Sequence, residues 1–175
     1  MSTVLTEPWT LTDFLAWERQ QDRPFEWDGV NVIAMTGGSF RHGAVVGNIY
    51  ASLHRQASER CRAFVENIKV ATASSVRYPD VLLICDATID WDGDVTNAAT
   101  VIVEVLSPST HHVDLGEKVA EYATVAGLQK YIVADPLAKT LRVYRREGGA
   151  LVPDETPPPS VALRNGGAAT EGFAG

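Results

Sequence analysis

Cysteine is scarce in this chain of 175 residues, which carries only Cys61 and Cys85. Two cysteines are too few for the disulfide frameworks that hold small secreted domains together. They also argue against a structural zinc site, because no Cys-x-x-Cys pair is present. We expect both thiols to be reduced, with Cys85 buried in a strand, as in a cytoplasmic protein.

Long hydrophobic runs are missing as well. No apolar stretch approaches the roughly 20 residues that span a bilayer. The N-terminus has no basic segment followed by an apolar core, as a signal peptide would have. The sequence therefore predicts no insertion into a membrane and a cytoplasmic location.

Positive charge is in short supply. Lys and Arg number 15 against 22 Asp and Glu, which gives a net charge of −7, and the basic residues form no patch along the chain. Affinity for a nucleic-acid backbone comes mainly from Lys and Arg. Strong unspecific DNA binding by a lone monomer is therefore disfavoured, and a phosphate site would need a metal, a small basic groove or a partner.

The length and the patterning of the chain predict one α/β domain over residues 1–150. Capped helices are expected after Thr10 or Thr12 and after Ser39, and Asp28-Gly29 predicts a β-hairpin. Three strands, a helix that ends at about Ala126, and two further strands follow. A right-handed crossover would make the strands on either side of that helix parallel, whereas the earlier strands are expected to be antiparallel. We therefore expect a mixed sheet with a helix on each face, and a flexible tail rich in Pro, Gly and Ala over 151–175.

A run of β-branched and apolar residues from Val101 to Leu106 predicts a strand buried on both faces, and Glu104 lies inside it. A buried carboxylate costs several kcal/mol unless a cation, a hydrogen-bond network or a proton compensates it. Pro108 ends the run, so Glu104 lies near the carboxyl end of a central strand, where open α/β sheets place ligands. Glu104 is either held by a buried basic residue or present to bind something.

A second carboxylate, Asp80, opens the preceding strand-like run. If the two strands are neighbours, Asp80 and Glu104 can meet at one edge of the sheet, where they need a proton, a basic residue or a cation between them. Together with the main-chain carbonyl of Val105 they would form part of an oxygen shell for Mg²⁺ or Mn²⁺. Lys118, early in the following helix, is placed to steady negative charge or to orient water, although it could instead be only an ion-pair partner of Glu104.

Several of these motifs together resemble a known family. They are Tyr78-Pro79-Asp80-Val81, the stretch from Val103 to Thr110, and the helix pattern Asp114, Lys118, Tyr122. With Phe25-Glu26-Trp27-Asp28-Gly29, Met35 and His42, they are similar to the Uma2 family of restriction-endonuclease-like proteins, which is part of the PD-(D/E)xK nuclease superfamily. The resemblance covers roughly Leu11 to Tyr144.

The resemblance implies a restriction-endonuclease-like αβββαβ core, with Asp80 and Glu104 as metal ligands. The superfamily pattern has lysine at the position of Leu106. The resemblance to Uma2 implies that the lysine comes instead from the following helix, where it is Lys118. The family also suggests that Glu26 and His42 line the site. The implied activity is hydrolysis of DNA phosphodiester bonds with Mg²⁺ or Mn²⁺ as cofactor. We expect a homodimer, because cleavage of a duplex needs two sites.

Two other functions stay open at this point. The acidic charge favours a nuclease fold retained as a binding or dimerisation module without catalysis. A hydrolase of a smaller phosphoester is also consistent with the sequence, because no residue pattern here reads the edges of bases.

Overall fold

The computed structural model describes residues 2–4, 9–107 and 111–155. Within these residues the chain forms four helices, which are α1 Leu11–Glu18, α2 Phe40–Gln56, α3 His111–Leu115 and α4 Glu117–Tyr122. The Thr10 hydroxyl caps α1 in a capping box with Asp13, and Ser39 caps α2, so both predicted helix starts are confirmed. No helix in the described part of the chain is long and apolar enough to cross a membrane.

The strands form two mixed sheets of six strands each, in place of the single sheet that we predicted. The small sheet has the order β1-β3-β2-β6-β5-β8 and the central sheet the order β12-β11-β10-β9-β7-β4. In chain order the strands are β1 Ser2–Val4, β2 Phe25–Trp27, β3 Asn31–Ala34, β4 Cys61–Val65, β5 Lys69–Ala71, β6 Val76–Arg77, β7 Val81–Cys85, β8 Val95–Thr96, β9 Val101–Val105, β10 Lys130–Asp135, β11 Thr140–Glu147 and β12 Ala150–Pro153.

The central sheet has the strand directions predicted from the sequence. Strand β9 is parallel to β10, whereas β7 is antiparallel to both β9 and β4. All five residues of β9 are buried, because helices cover both faces of the sheet. Helix α2 packs against one face through Val45, Ile49 and Leu53, and Tyr122 of α4 packs against the other. The mixed α/β class and the helix on each face are confirmed.

The small sheet is built around the predicted hairpin. Asp28 Oδ1 accepts hydrogen bonds from the N–H groups of Val30 and Asn31, and Gly29 has a φ of +93° that favours glycine. Helix α1 covers this sheet by packing Phe14 against Trp27. Glu26 lies in β2 of this hairpin, and its side chain is the contribution of the small sheet to the candidate site.

The helix predicted to run to Ala126 is shorter and divided. It breaks at Gly116, whose φ of −123° and ψ of −89° are not helical, and α4 is capped at Ala123. Glycine favours such a break because it loses more backbone entropy in a helix than other residues do. The break leaves Asp114 and Lys118 on different helices, although both side chains are buried and in contact.

The prediction of two reduced cysteines was wrong, because Cys61 and Cys85 form a disulfide. The residues stand opposite each other in the antiparallel pairing of β4 with β7, with their Cα atoms 4.1 Å apart. Cross-strand partners of this kind bring two Cβ atoms close enough for a disulfide. Cys85 is also only partly buried, since it ends β7.

The flexible tail was predicted to begin too early. Residues 151–153 belong to β12, which pairs with β11 and buries Leu151 in the core against α4. Strand β11 therefore lies between β10 and β12 and is not at the edge of the sheet. The remainder of the predicted tail, from residue 156, lies outside the described residues.

Candidate functional site

The carboxyl end of β9 brings Glu104 against helix α4. Glu104 is 4% exposed, and its Oε1 atom lies 2.9 Å from Nζ of Lys118 and accepts a 2.7 Å hydrogen bond from the Tyr122 hydroxyl. Lys118 and Tyr122 are one helical turn apart, so both point from the same side of α4 toward the strand. The buried basic partner considered in the sequence analysis is therefore present, and it is Lys118.

Lys118 contacts three carboxylates at once. Besides Glu104, its ammonium lies 3.0 Å from Asp114 Oδ1 and 3.6 Å from Glu26 Oε1. Lys118 is 3% exposed and Asp114 is 1% exposed. One buried cation thus faces more negative charge than it can neutralise, which is the condition under which a site attracts a further cation or a proton.

The electrostatics of this buried group are strongly perturbed. Burial, helped by the neighbouring charges of Asp80, Asp114 and Glu26, raises the pKa of Glu104 to about 8 even though Lys118 opposes the shift. Burial works against the charged form of Lys118, but the surrounding carboxylates raise its pKa above the ordinary value. Lys118 therefore stays protonated at neutral pH, whereas Glu104 easily takes up a proton when no other cation is near.

Glu26 connects the small sheet to this cluster. Its Oε1 atom accepts a 2.9 Å hydrogen bond from the N–H of Tyr78, and its Oε2 atom lies 3.3 Å from Nη1 of Arg77. Arg77, which is fully buried, also binds Glu121 of α4 through two hydrogen bonds of 2.7 Å. This bidentate pair fixes α4 against β6 and so helps to position Lys118.

Asp80 lies directly before the neighbouring strand β7, at the same end of the sheet. Val81 pairs with Val103, so Asp80 and Glu104 stand opposite each other just where this ladder ends. Asp80 Oδ2 accepts a 2.6 Å hydrogen bond from the N–H of Val105 and lies 3.4 Å from Nε2 of His42. The register thus places Asp80 and Glu104 at the same end of two neighbouring strands.

His42, in the first turn of α2, points at the same end of β9. Its Nε2 atom lies 3.0 Å from the carbonyl oxygen of Val105, which is the oxygen predicted as a metal ligand. The hydrogen bond to Asp80 raises the pKa of His42, although partial burial opposes the shift. Glu66, directly after β4, brings a carboxylate oxygen within 4.8 Å of ligand atoms of both His42 and Asp80.

The residues present fit a divalent cation by their donor chemistry. Glu26, Glu104 and Asp114 surround Lys118, Glu26 and Glu121 bind Arg77, and Asp80 pairs with His42 at the same end of β9. These five carboxylates outnumber the two permanent cations, Lys118 and Arg77. Carboxylate and carbonyl oxygens are the ligands that Mg²⁺ and Mn²⁺ prefer. The excess of negative charge at a partly accessible position is what such an ion would neutralise.

Comparison with known proteins places the chain in a family. The Uma2 family model, described as "Putative restriction endonuclease", matches residues 11–168. The chain belongs to the Uma2 family. The match extends beyond Tyr144, where we expected the similarity to end.

Two uncharacterized proteins of Synechocystis sp. are related to this Uma2 member. One (sll1609) is 28% identical over 154 residues, which cover 85% of this chain and 86% of that protein. The other (slr1290) is 27% identical over 139 residues, with 77% and 72% covered.

A solved structure from Anabaena variabilis, titled as a putative nuclease belonging to DUF820, has the same fold. It superposes with a TM-score of 0.66 at 21% identity and covers 80% of this chain and 82% of its own. This likeness confirms the nuclease-like α/β fold predicted from the sequence.

Of the residues predicted from the sequence, the structure brings Glu26 and Glu104 together at Lys118. It brings Asp80, Val105 and His42 together at the same end of β9. Sequence reasoning did not assign Glu66, Arg77 or Glu121 to the site. Asp114 and Tyr122 had been noted only as part of the helix pattern, and their four-residue spacing from Lys118 was the available signal. Glu66 had no comparable signal, because it follows a strand that meets Asp80 only in the folded sheet.

Proposed function

We propose that this Uma2 protein is a metal-dependent endonuclease that hydrolyses phosphodiester bonds of DNA. The observation that carries the proposal is the position of Asp80 opposite Glu104 at the carboxyl end of β9, where Glu104 is paired with Lys118 and carboxylates outnumber cations. Family membership supports a nuclease-type activity, because the family is described as restriction-endonuclease-like.

In this proposal Asp80 and Glu104, with the carbonyl of Val105, hold Mg²⁺ or Mn²⁺. When bound, such an ion polarises a phosphate and lowers the pKa of a water molecule. Asp80 is positioned for this task by the Val105 N–H, and Glu104 by the Tyr122 hydroxyl.

Lys118 acts in the proposal as a fixed positive charge. Because the surrounding carboxylates raise its pKa, it stays an ammonium group and donates hydrogen bonds instead of accepting a proton from water. A charged donor beside the phosphate stabilises the negative charge that develops on its oxygens. Glu26 holds this ammonium from the outer side of the cluster, while Arg77 anchors Glu26.

The first test is calorimetric titration of Mg²⁺ and Mn²⁺ into the wild type, Asp80→Asn and Glu104→Gln. Glu147→Gln is the matched control, since Glu147 is an exposed carboxylate on β11 that pairs with Arg145. The proposal expects binding to the wild type and the control, and its loss in the other two variants. Equal affinity in all four proteins, each first shown to be folded by circular dichroism, would exclude the metal site.

Cleavage of supercoiled plasmid DNA then tests the activity. Nicked or linear product should form with Mg²⁺ or Mn²⁺ and should be lost in Asp80→Asn but not in Glu147→Gln. Binding of the DNA should weaken steeply with salt concentration, because phosphate contacts release counterions. Hydrolysis of a small phosphodiester without any salt-dependent DNA binding would instead identify a hydrolase of smaller phosphoesters.

A second function is favoured by a specific observation. Glu104 already has two buried partners, Lys118 and Tyr122, and the chain has a net charge of −7. A module that keeps the fold for binding or dimerisation, without catalysis, would have such a satisfied ion pair. The absence of both metal binding and cleavage in the tests above would favour this function.

We also propose that the protein acts as a homodimer in the cytoplasm, since cleavage of both strands of a duplex needs two active sites. Sedimentation analysis tests the dimer. The Cys61–Cys85 disulfide opposes a reducing compartment, where such bonds are rare. Alkylation of thiols before lysis tests the location, since alkylated Cys61 and Cys85 would support a reducing compartment and an intact disulfide would contradict it.

A further inference from the structure

A second group of possible metal ligands lies beside the proposed catalytic cluster. One ligand atom each from His42, Glu66 and Asp80 fall within 4.8 Å of one another. They come from three elements, since His42 is in the first turn of α2, Glu66 follows β4 and Asp80 precedes β7. Glu104 and Lys118 do not belong to this group.

Backbone hydrogen bonds hold this group in place. Asp80 Oδ2 accepts from the N–H of Val105, and the N–H of Glu66 donates to the carbonyl of Asp80 at 3.2 Å. The backbone positions of Glu66 and Asp80 are therefore fixed by the pairing of β4, β7 and β9. His42 and Asp80 are also mostly buried, with side chains 14% and 16% exposed, whereas Glu66 is exposed and gives access from solvent.

Nε2 of His42 lies among oxygen atoms. It is 3.0 Å from the Val105 carbonyl oxygen and 3.4 Å from Asp80 Oδ2, and the Glu66 carboxylate is close by. A neutral imidazole with two carboxylates carries two negative charges, which one divalent ion would neutralise. An imidazole nitrogen combined with carboxylates suits first-row transition metals, whereas Mg²⁺ prefers oxygen ligands alone.

We propose that His42, Glu66 and Asp80 bind one first-row divalent metal ion, with Mn²⁺ as the ion to test. This inference rests on the proposed function, because Asp80 is shared with the Glu104 site. It adds to that function by giving the protein a ligand set that distinguishes Mn²⁺ from Mg²⁺.

The test uses Glu66→Gln, because Glu66 is exposed and its neutralisation should leave the fold intact. The matched control is Glu59→Gln, an exposed glutamate that precedes β4 at its other end. Titration calorimetry with Mn²⁺ at one pH should give at least threefold weaker binding for Glu66→Gln than for Glu59→Gln. A smaller difference, or no Mn²⁺ binding by the control, would overturn the inference.

A magnetic resonance measurement locates the ion independently of activity. In ¹⁵N-labelled protein, a small amount of Mn²⁺ should broaden the ring signals of His42 much more than those of His54. His54 is exposed on the same helix and lies about 18 Å further along it, at ~1.5 Å per residue. Equal sharpness of the two signals would refute the His42 site.

These outcomes separate this inference from the proposed function. If Glu66→Gln binds Mn²⁺ as the control does while Glu104→Gln loses Mg²⁺ binding, the second site is refuted and the nuclease site stands. If Glu66→Gln loses Mn²⁺ binding and His42 is broadened while Glu104→Gln and the wild type bind Mg²⁺ alike, the second site is supported and the proposed Glu104 site fails.

Discussion

Replacement of Lys118 by methionine is the perturbation that most directly probes the buried cluster. Lys118 is 3% exposed, and its ammonium lies 2.9 Å from Glu104, 3.0 Å from Asp114 and 3.6 Å from Glu26. Methionine keeps an unbranched apolar side chain but leaves these carboxylates without their cation. Removal of one partner from a buried ion pair costs about 3–5 kcal/mol, because the remaining charge is uncompensated.

We therefore expect Lys118→Met to lower the free energy of unfolding by about 3–5 kcal/mol relative to the wild type. For a chain of this size each kcal/mol corresponds to about 2–4 °C, so the melting temperature should fall by roughly 6–20 °C. Urea unfolding in EDTA measures the loss. Lys139→Met, at an exposed lysine, is the control and should stay within about 0.5 kcal/mol of the wild type.

A second substitution shows whether the loss of stability comes from carboxylates that are left without a cation. Glu104→Gln added to Lys118→Met removes one of the uncompensated carboxylates and should restore about 1–3 kcal/mol. The reasoning would be refuted if Lys118→Met were as stable as Lys139→Met, or if the double variant were less stable than the single one.

The pH dependence of the loss follows from the same charges. Burial raises the pKa of Glu104 to about 8 in the folded protein, above its ordinary value of 4.5. The stability contributed by this group is therefore fully present below about 4.5 and is lost as the pH rises through about 8. Without Lys118, which lowers this pKa, the loss on raising the pH becomes larger. The deficit of Lys118→Met should thus be greater at pH 8 than at pH 5.

Three further predictions concern single contacts in the fold, and urea unfolding measures each of them. Tyr122→Phe removes the hydroxyl that donates to Glu104, which should lower the free energy of unfolding by about 1.5–3 kcal/mol. A loss of less than about 0.5 kcal/mol would contradict the hydrogen bond. Leu151→Ala should cost about 2–5 kcal/mol because β12 belongs to the core, whereas a flexible residue would tolerate the change. Reduction of the Cys61–Cys85 disulfide should cost about 3 kcal/mol, since it releases a loop of roughly 25 residues, and unchanged stability after thiol reduction would contradict the bond.

Local signals in the sequence were enough for much of the fold. The caps at Thr10 and Ser39 and the Asp28-Gly29 turn depend on hydrogen bonds between residues a few positions apart, so they can be identified without the rest of the chain. The parallel pairing of β9 with β10 could also be predicted, because a helix that connects two strands of one sheet forms a right-handed crossover between parallel strands.

That Glu104 is a buried carboxylate in need of a partner could also be predicted from the sequence. A single ionisable group inside a buried strand needs a compensating partner, whatever the fold. Lys118 was a candidate for that partner from its place early in the following helix, and the structure shows the contact. Both statements depend only on the run from Val101 to Tyr122.

Contacts between distant segments were decided by the tertiary structure alone. The division into two sheets and the disulfide between Cys61 and Cys85 depend on which strands become neighbours and in what register, and a shift by one residue would point the side chains to opposite faces. The same holds for Glu66, which joins His42 and Asp80 only because β4 ends and α2 begins beside the start of β7. The sequence determined which groups needed partners, and the packing of strands far apart in the chain decided which partners they received.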